Sequence, residues 1–309
     1  MCVCVCVCAC VCMCVCVMCV CVLLEAVCLT AVMNKFILRL LAPLLLLLWM
    51  QPAGSKKVGH IFSQREAAGA VPLSMVKDSV DDMYASCQAQ MSHKVKTKYF
   101  KKENKGIFQR AWQSADKCVK RCKNIQLKDK QDEALTEEHF QAICVYTAGQ
   151  HKLFELFNAA VRTNRSEYST TFQFHSLHFW LTSAIQILKK NEKCLTSYRR
   201  SHTQFTGKRN QMIRFGSFAS SSLNPKLTHF GTKTCFQIQT CHGVYLKKYP
   251  RLQDKEEEVL IPPYEMFMIQ KKCSTKKCKG KLSDCKVVYV LESLGFYSNL
   301  NCKAAKVDG

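Results

Sequence analysis

Three consecutive glutamates stand directly in front of an apolar stretch in the C-terminal third of the chain. Glu256, Glu257 and Glu258 run into residues 259–261, which read Val-Leu-Ile. If the backbone is extended here, Glu256 and Glu258 share one face and Glu257 points away. Two such carboxylates can stabilise a developing positive charge and accept a proton, as they do in glycosidases. The alternative is a solvated turn whose charges protect a strand from aggregation.

Two further stretches carry polar groups beside predicted strands. "CLTSYRR" contains Arg199, and a guanidinium matches a phosphate group bidentately, although a surface cation would look the same. "RFGSFASSSL" contains Ser220, which in isolation reads as an ordinary turn serine.

Apolar spacing predicts the elements that must position these groups. Residues 80–87, 153–161 and 177–188 repeat at helical spacing, the first behind a cap at Asp78 or Ser79. The charged segment 95–137 predicts short helical pieces at best.

The second half of the chain changes to strand periodicity. "TCFQIQT", "EMFMIQK" and "KVVYVLE" predict strands, "GSFASSSLNP" a loop or strand edge, and Pro262 with Pro263 an edge or a bend. Helices followed by strands favour an α+β fold.

The first 55 residues differ in composition from the rest. Residues 1–32 alternate Cys and Val, as an in-frame TGTGTG repeat encodes, and we interpret them as a gene-model artefact; an apolar bilayer-seeking segment is the alternative. Residues 33–55 have a basic start, an apolar core too short for a comfortable membrane span, and small residues, the pattern of a signal peptide. We therefore expect a secreted domain over residues 56–309.

Charge and cysteine content narrow the choice of partners. The formal net charge of +22 favours anionic partners, and secretion argues against nucleic acid. Eleven cysteines lie beyond residue 32, and an oxidising compartment predicts disulfides, with at least one thiol left free or bonded to another chain. The spacing of Cys273, Cys278 and Cys285 lacks the paired Cys and ordered His of a zinc site, so we expect no metal.

In their order along the chain, the three stretches resemble a known family. "CLTSYRR", "RFGSFASSSL" and "EEEVLIPPYE" are similar to motifs of the arginine-specific mono-ADP-ribosyltransferases of vertebrate cell surfaces, with the Arg–Ser–Glu pattern of the cholera-toxin-like class. "SVDDMYASCQAQM", "ICVYTAG", "LFELFNAAVR" and "FHSLHFWLTSAIQIL" resemble the helical part of that family. The resemblance covers about 79–302. It implies helices packed on a C-terminal, antiparallel-rich β-sandwich, with an NAD cleft between them.

The resemblance also implies a role for each motif residue. Arg199 would hold the phosphates of NAD, and Ser220 would bind near the nicotinamide ribose and hold a glutamate in place. Glu258 would grip the ribose 2′-hydroxyl and stabilise an oxocarbenium-like state. Glu256 would meet the incoming guanidinium and help remove its proton.

Supporting positions follow from the same resemblance. Tyr146 matches a position near the cofactor, and Phe230 is a candidate to stack on nicotinamide; from the sequence alone, each is equally well a core aromatic. The family usually has glycine where this chain has Arg200, which could crowd the dinucleotide or add a phosphate contact.

These features predict a secreted enzyme that transfers ADP-ribose from NAD, or from NADP, to arginine side chains of extracellular or secretory-pathway proteins. An NAD glycohydrolase, a catalytically silent basic binding protein on the same scaffold, and a heparin-type binder remain alternatives. The sequence ends at "NCKAAKVDG" without an apolar tail, so we expect no lipid anchor unless the sequence stops short.

Covalent features complete the expectations. From their positions and from the resemblance, we expect disulfides between Cys87 and Cys302 and between Cys194 and Cys241. The second bond would hold the strand that carries Arg199 in register with the rest of the sheet. Asn164 begins an Asn-Arg-Ser glycosylation sequon between two predicted helices.

Overall fold

The computed structural model describes residues 69–127, 132–149, 152–190, 192–274 and 280–306. All of them belong to the unit Val58–Gly309. The predicted Cys-Val tract, the signal peptide and Cys278 lie outside the described residues.

Helices fill the first half of the described chain. They are α1 Gln88–Lys94, a π-helical turn Val95–Tyr99, α2 Phe100–Glu103, α3 Gly106–Ser114, α4 Asp116–Gln126, α5 Glu137–Ala148, α6 Leu153–Thr163 and α7 His175–Lys189, with α8 Lys303–Lys306 near the end. The periodicity at 153–161 and 177–188 is confirmed by α6 and α7. Segment 95–137 forms short helices, of which the longest has 11 residues.

The helix predicted over residues 80–87 is wrong. α1 begins at Gln88, and Tyr84 has a positive φ of 57°. The carboxylate of Asp82 accepts the backbone N–H of Tyr84 at 2.8 Å and that of Cys302 at 2.9 Å. Such side-chain to backbone bonds compete with a helix. The apolar spacing therefore reflects burial of an irregular segment.

The strands confirm the α+β class. They are β1 Val71–Pro72, β2 Leu195–Ser201, β3 Phe205–Thr206, β4 Met212–Arg214, β5 Ala219–Ser222, β6 Thr234–Thr240, β7 Val244–Tyr245, β8 Glu258–Ile261, β9 Glu265–Ser274 and β10 Val287–Phe296. β1 and β3 form a two-stranded sheet, and the other strands form one sheet in the order β4-β9-β10-β6-β2-β5-β8-β7. Its pairs are antiparallel except β6 with β10.

The resemblance implied a β-sandwich, whereas the structure has one large sheet whose β2–β5 pairing is minimal. β2 and β5 are joined by one residue pair, Tyr198 with Ser222. Leu260 of β8 packs into the helical core, whereas its neighbours Val259 and Ile261 join the apolar residues of β4, β6, β9 and β10 in a second cluster. The sheet is therefore continuous in its ladder, and successive residues of β8 contribute to two cores, one on each face.

Disulfides tie these layers together. The structure pairs Cys87 with Cys302 and Cys194 with Cys241, as predicted, and adds Cys118–Cys144 and Cys235–Cys285. Cys273 is also disulfide-bonded, and Cys122 is a free, buried thiol.

Within the described ranges, no helix is both long enough and apolar enough to cross a membrane.

Candidate active site

The C-terminal glutamate of the acidic run opens a buried strand. Glu258 is the first residue of β8, all four residues of which are buried. β8 pairs with β5 so that Ser222 lies opposite Glu258, and Ser220 lies opposite Leu260 on the same face. The apolar residues that follow Glu258 thus fix its position against the serines of "FASSSL".

Glu256 lies in the same region as Glu258, but its backbone conformation differs from the extended one that the sequence predicts. It lies in a turn before β8, and Glu257 between the two glutamates has a left-handed backbone with φ 44°. The expected extended i, i+2 geometry is therefore wrong. The Ser222 hydroxyl donates to the backbone carbonyl of Glu256 at 2.6 Å and anchors this turn.

Burial gives Glu258 unusual proton chemistry. Only 8% of the residue is exposed, and this desolvation raises its pKa to about 7. The nearby charge of Glu256 also raises that pKa, whereas a hydrogen bond from Ser220 lowers it. Burial raises the pKa of Glu256 as well. Glu258 is therefore close to half-ionised at neutral pH, so a cationic ligand would favour its charged form.

Both carboxylates open into one cleft. The residues that line it are Tyr146, Thr147, Phe154, Tyr198, Arg200, Ser220, Ser221, Ser222, Asn224, Leu227, Phe230, Glu256 and Glu258. The predicted site residues other than Arg199 are all among them. Glu257 is not among them.

Arg199 lies beside this cleft rather than on its lining. It is the fifth of the seven residues of β2, and its guanidinium donates to the backbone carbonyl of Ser220. Burial, reinforced by the charge of Arg162, lowers the pKa of Arg199 to about 9. Both arginines remain cations at neutral pH, so a concentrated positive charge lies behind β5.

Comparison with known proteins places this arrangement in a family. The sequence model described as "NAD:arginine ADP-ribosyltransferase" matches residues 73–284. Ecto-ADP-ribosyltransferase 4 of Mus musculus is 34% identical over 279 residues, covering 85% of this chain and 84% of that protein. GPI-linked NAD(P)(+)–arginine ADP-ribosyltransferase 1 of Mus musculus is 32% identical over 271 residues, covering 80% and 75%.

The chain belongs to the NAD:arginine ADP-ribosyltransferase family. A solved structure supports the fold: a mutant of the eukaryotic mono-ADP-ribosyltransferase ART2.2 in complex with NADH superposes with a TM-score of 0.60 at 29% identity. That match covers 75% of this chain and 98% of the other.

The two aromatic residues predicted near the cofactor, Tyr146 and Phe230, differ in how they are held. Tyr146, on α5, donates its hydroxyl to the carbonyl of Phe218 at 3.0 Å and accepts from the amide of Asn158 at 3.3 Å. Burial raises its pKa well above the ordinary range. Phe230 ends a short 3₁₀ turn, and its ring centroid lies 4.1 Å from that of His229, with the two rings tilted by 42°. Tyr146 is thus fixed by a network, whereas Phe230 belongs to the loop wall.

Arg200, which stands where the ADP-ribosyltransferase family usually has glycine, is engaged within the protein. Its guanidinium pairs with both carboxylate oxygens of Asp284 at 2.8 and 3.0 Å, and its Nε donates to the carbonyl of Pro225 at 2.7 Å. The adjacent Cys285 is bonded to Cys235. Arg200 therefore links β2 to the Pro225 loop and to Asp284. A phosphate contact would have to compete with Asp284.

Sequence reasoning missed part of the cleft. Thr147 and Phe154 flank the α5–α6 connection, and Asn224 and Leu227 extend the serine-rich stretch towards Phe230. The proximity of Thr147 to Tyr146 and of Asn224 to "SSSL" was a usable signal. Arg162 had none, because its position beside Arg199 depends on how α6 packs on the sheet.

Proposed function

We propose that this chain transfers ADP-ribose from NAD to arginine side chains of proteins and releases nicotinamide. One observation supports this most directly: Glu258 is buried with a pKa of about 7 and shares a cleft with Ser220 and Glu256. A carboxylate in that setting gains charge when a cation develops beside it, which is what cleavage of the nicotinamide–ribose bond requires.

The binding roles follow from charge and position. Arg199 and Arg162 lie close enough to repel each other, and the diphosphate of NAD would relieve that repulsion. Phe230 offers a face for the nicotinamide ring. Ser220 orients Glu258 through its hydrogen bond. NADP, which the names of three relatives include as "NAD(P)(+)", is a second donor to test.

The proposed reaction breaks one bond and forms one. The N-glycosidic bond of NAD breaks, and its electron pair leaves with nicotinamide while Glu258 holds the 2′-hydroxyl and stabilises the positive ribose. A guanidinium nitrogen of the target arginine then bonds to the anomeric carbon. Its surplus proton passes to Glu256, the half-buried carboxylate at the cleft.

NAD glycohydrolysis is the alternative reaction of the same site. Water would replace the guanidinium, and only the demand on Glu256 differs. The position of Glu256 in a turn held by Ser222, within the cleft, favours a specific role for it and hence transfer.

The alternative function, a catalytically silent binding protein, rests mainly on Arg200, which stands where the family usually has glycine. The Arg200 side chain lines the cleft, but its guanidinium is held by Asp284 and the Pro225 carbonyl. These contacts favour an open site over a blocked one.

The proposed setting is extracellular. Two relatives carry "ecto" or "GPI-linked" in their names, and the four disulfides described above suit an oxidising compartment. We propose secretion, arginine-bearing extracellular or secretory-pathway targets, and glycosylation at Asn164, which is the half-buried C-cap of α6.

One experiment separates the readings. The full chain, purified from the medium of expressing cells, is incubated with labelled NAD and agmatine. ADP-ribosyl-agmatine is the expected product. Free ADP-ribose alone would identify a hydrolase, and unchanged NAD would identify a binding protein.

A further inference from the structure

A second cavity lies in the helical part, outside the proposed active site. Its volume is about 420 Å³, within the range of small-molecule sites. The residues that line it are Tyr99, Lys102, Glu103, Lys105, Ile107, Phe108, Leu153, Leu156, Thr170, Thr171, Phe172, Gln173 and Phe174. None of them belongs to the cleft that contains Glu258.

The lining is apolar inside and cationic at the rim. Phe108, Leu153 and Phe172 are buried, whereas Ile107 and Leu156 expose 37% and 47% of their surface. Exposed large apolar groups beside an apolar cavity are typical of a ligand site.

The charges at this cavity favour an anion. Lys102 and Lys105 are exposed, and within the described residues neither amine is in an ion pair. The buried Glu103 would oppose an anion when ionised, but desolvation raises its pKa to about 7, so its charged form is disfavoured, and both of its oxygens are hydrogen-bonded within the protein. They accept the backbone N–H groups of His175 at 2.8 Å and Ser176 at 2.9 Å, at the start of α7.

The first turn of α6 separates the two cavities. Leu153 lines the second cavity, and the next residue, Phe154, lines the cleft. Aromatic contacts also connect them: Phe174 meets Phe157 at 5.7 Å, and Phe157 stacks on Phe218 at 5.6 Å. Phe218 in turn meets Tyr146, which lines the cleft, at 6.1 Å. A ligand that displaces this wall would therefore act on both sides of it.

We propose that this cavity binds a carboxylic acid with an unbranched apolar chain, whose carboxylate lies at Lys102 and Lys105 and whose chain enters beside Leu156. We further infer that occupancy changes NAD affinity through α6; this second part rests on the proposed function.

Octanoate is the probe for the site, titrated calorimetrically into the full chain, with 1-octanol as its neutral counterpart. We expect a single site with a dissociation constant below about 1 mM, and weaker binding of octanol. Trp112 stacks on Phe108 at 5.5 Å, so its fluorescence should change with the same midpoint. Absence of saturable binding overturns the site, and equal affinity for octanol overturns the anionic ligand.

Two sets of variants test the placement. Leu156→Asp puts a like charge at the exposed rim and should weaken octanoate binding at least about tenfold. Lys102→Ala with Lys105→Ala, both surface changes, should bring octanoate to the affinity of octanol. Lys101→Ala, on the same short helix α2 but outside the lining, is the matched control and should leave binding unchanged. Equal binding by wild type and Leu156→Asp overturns the placement.

NAD binding measured calorimetrically, without turnover, tests the coupling. Saturating octanoate should change the NAD dissociation constant by roughly fivefold in the wild type but not in Leu156→Asp. An unchanged constant overturns the coupling. Absence of transfer to agmatine in a protein that still binds NAD would instead contradict the proposed function.

Discussion

At the scale of single residues, Glu258 combines its proposed catalytic position with a cost to stability. Desolvation raises its pKa from 4.5 to about 7, so between these values the folded protein holds a proton that the unfolded chain releases. Stability from this group therefore falls as pH rises from 4.5 to 7. The ionised form that the proposed reaction needs is thus the form that burial disfavours.

Glu258→Gln should abolish transfer and hydrolysis, because the amide keeps the shape of the side chain but lacks the charge. Retention of more than about a tenth of wild-type turnover, equivalent to roughly 1.4 kcal/mol of barrier, would contradict the role of Glu258. Glu257→Gln, next to it but outside the cleft lining, is the control.

The raised pKa of Glu258 should appear in the pH dependence of both activity and stability. Wild-type kcat/KM should fall about tenfold per pH unit below pH 7, as Glu258 is protonated. Glu258→Gln should be more stable than wild type at about pH 8, by on the order of 3 kcal/mol, and equally stable near pH 4. Thermal unfolding at both pH values measures this; no gain at high pH would mean that Glu258 is not desolvated.

Glu256→Gln should act selectively. A positioned base contributes on the order of 10²-fold, and attack by water depends on it less than attack by guanidinium. Agmatine transfer should fall by that factor while NAD hydrolysis survives. The division of labour is refuted if both activities fall equally.

At the scale of elements, Arg200 acts as a brace between the Pro225 loop and Asp284. Arg200→Gly, which restores the usual family residue, should lower stability by about 2 kcal/mol and raise the KM for NAD, because the loop that carries Phe230 loses its anchor. Asp284 is 43% exposed and can be solvated, which limits the loss. Arg200→Lys keeps the charge without the bidentate geometry and should be intermediate. An unchanged KM in Arg200→Gly would exclude a positioning role.

The Cys194–Cys241 bridge extends an existing ladder. β2 and β6 are already paired over seven residue pairs, from Leu195 with Thr240 to Ser201 with Thr234. The ladder itself therefore holds Arg199 in register, and the bond mainly restricts the unfolded chain over a separation of 47 residues.

Cys194→Ala and Cys241→Ala should therefore each lower the melting temperature. The chain-entropy model gives about 4 kcal/mol as the upper limit of the loss in unfolding free energy. The KM for NAD should rise only slightly, and the double variant should be little worse than either single one. Cys122→Ala, which removes the free thiol, is the control. Peptide mapping that links Cys194 to another cysteine would overturn the pairing.

At the scale of the whole molecule, the adjacent Asp81 and Asp82 join the N-terminal segment to the C-terminal end. Asp82 accepts the backbone N–H of Cys302. Asp81 pairs with Arg214 of β4 at 2.7 Å and accepts the backbone N–H of Asn299 at 2.9 Å and of Leu300 at 3.1 Å. Cys87–Cys302 closes the same junction covalently.

Asp81→Asn should destabilise the protein strongly, by about 3–5 kcal/mol, because Arg214 would remain buried without its counter-charge. The exposed Asp78→Asn is the control and should unfold like the wild type. Chemical denaturation gives both free energies of unfolding. A loss below about 1 kcal/mol would show that the pair contributes as little as a surface salt bridge.

The sequence by itself determined the parts that local pattern encodes. Helical and strand periods predicted α6, α7, β6, β9 and β10, because one face of each element is buried and that burial repeats with the backbone period. The order of Arg199, Ser220 and the glutamates indicated the chemistry through resemblance to a family.

Tertiary structure decided what depends on contacts between distant segments. The positive φ of Glu257 brings Glu256 to the cleft although the strand begins only at Glu258. Asp82 converts a helical spacing into an irregular segment, because its partners include Cys302, 220 residues away. Arg200 is held by Asp284, 84 residues later. Periodicity reports only which side of an element is buried, so none of these pairings could be read from it.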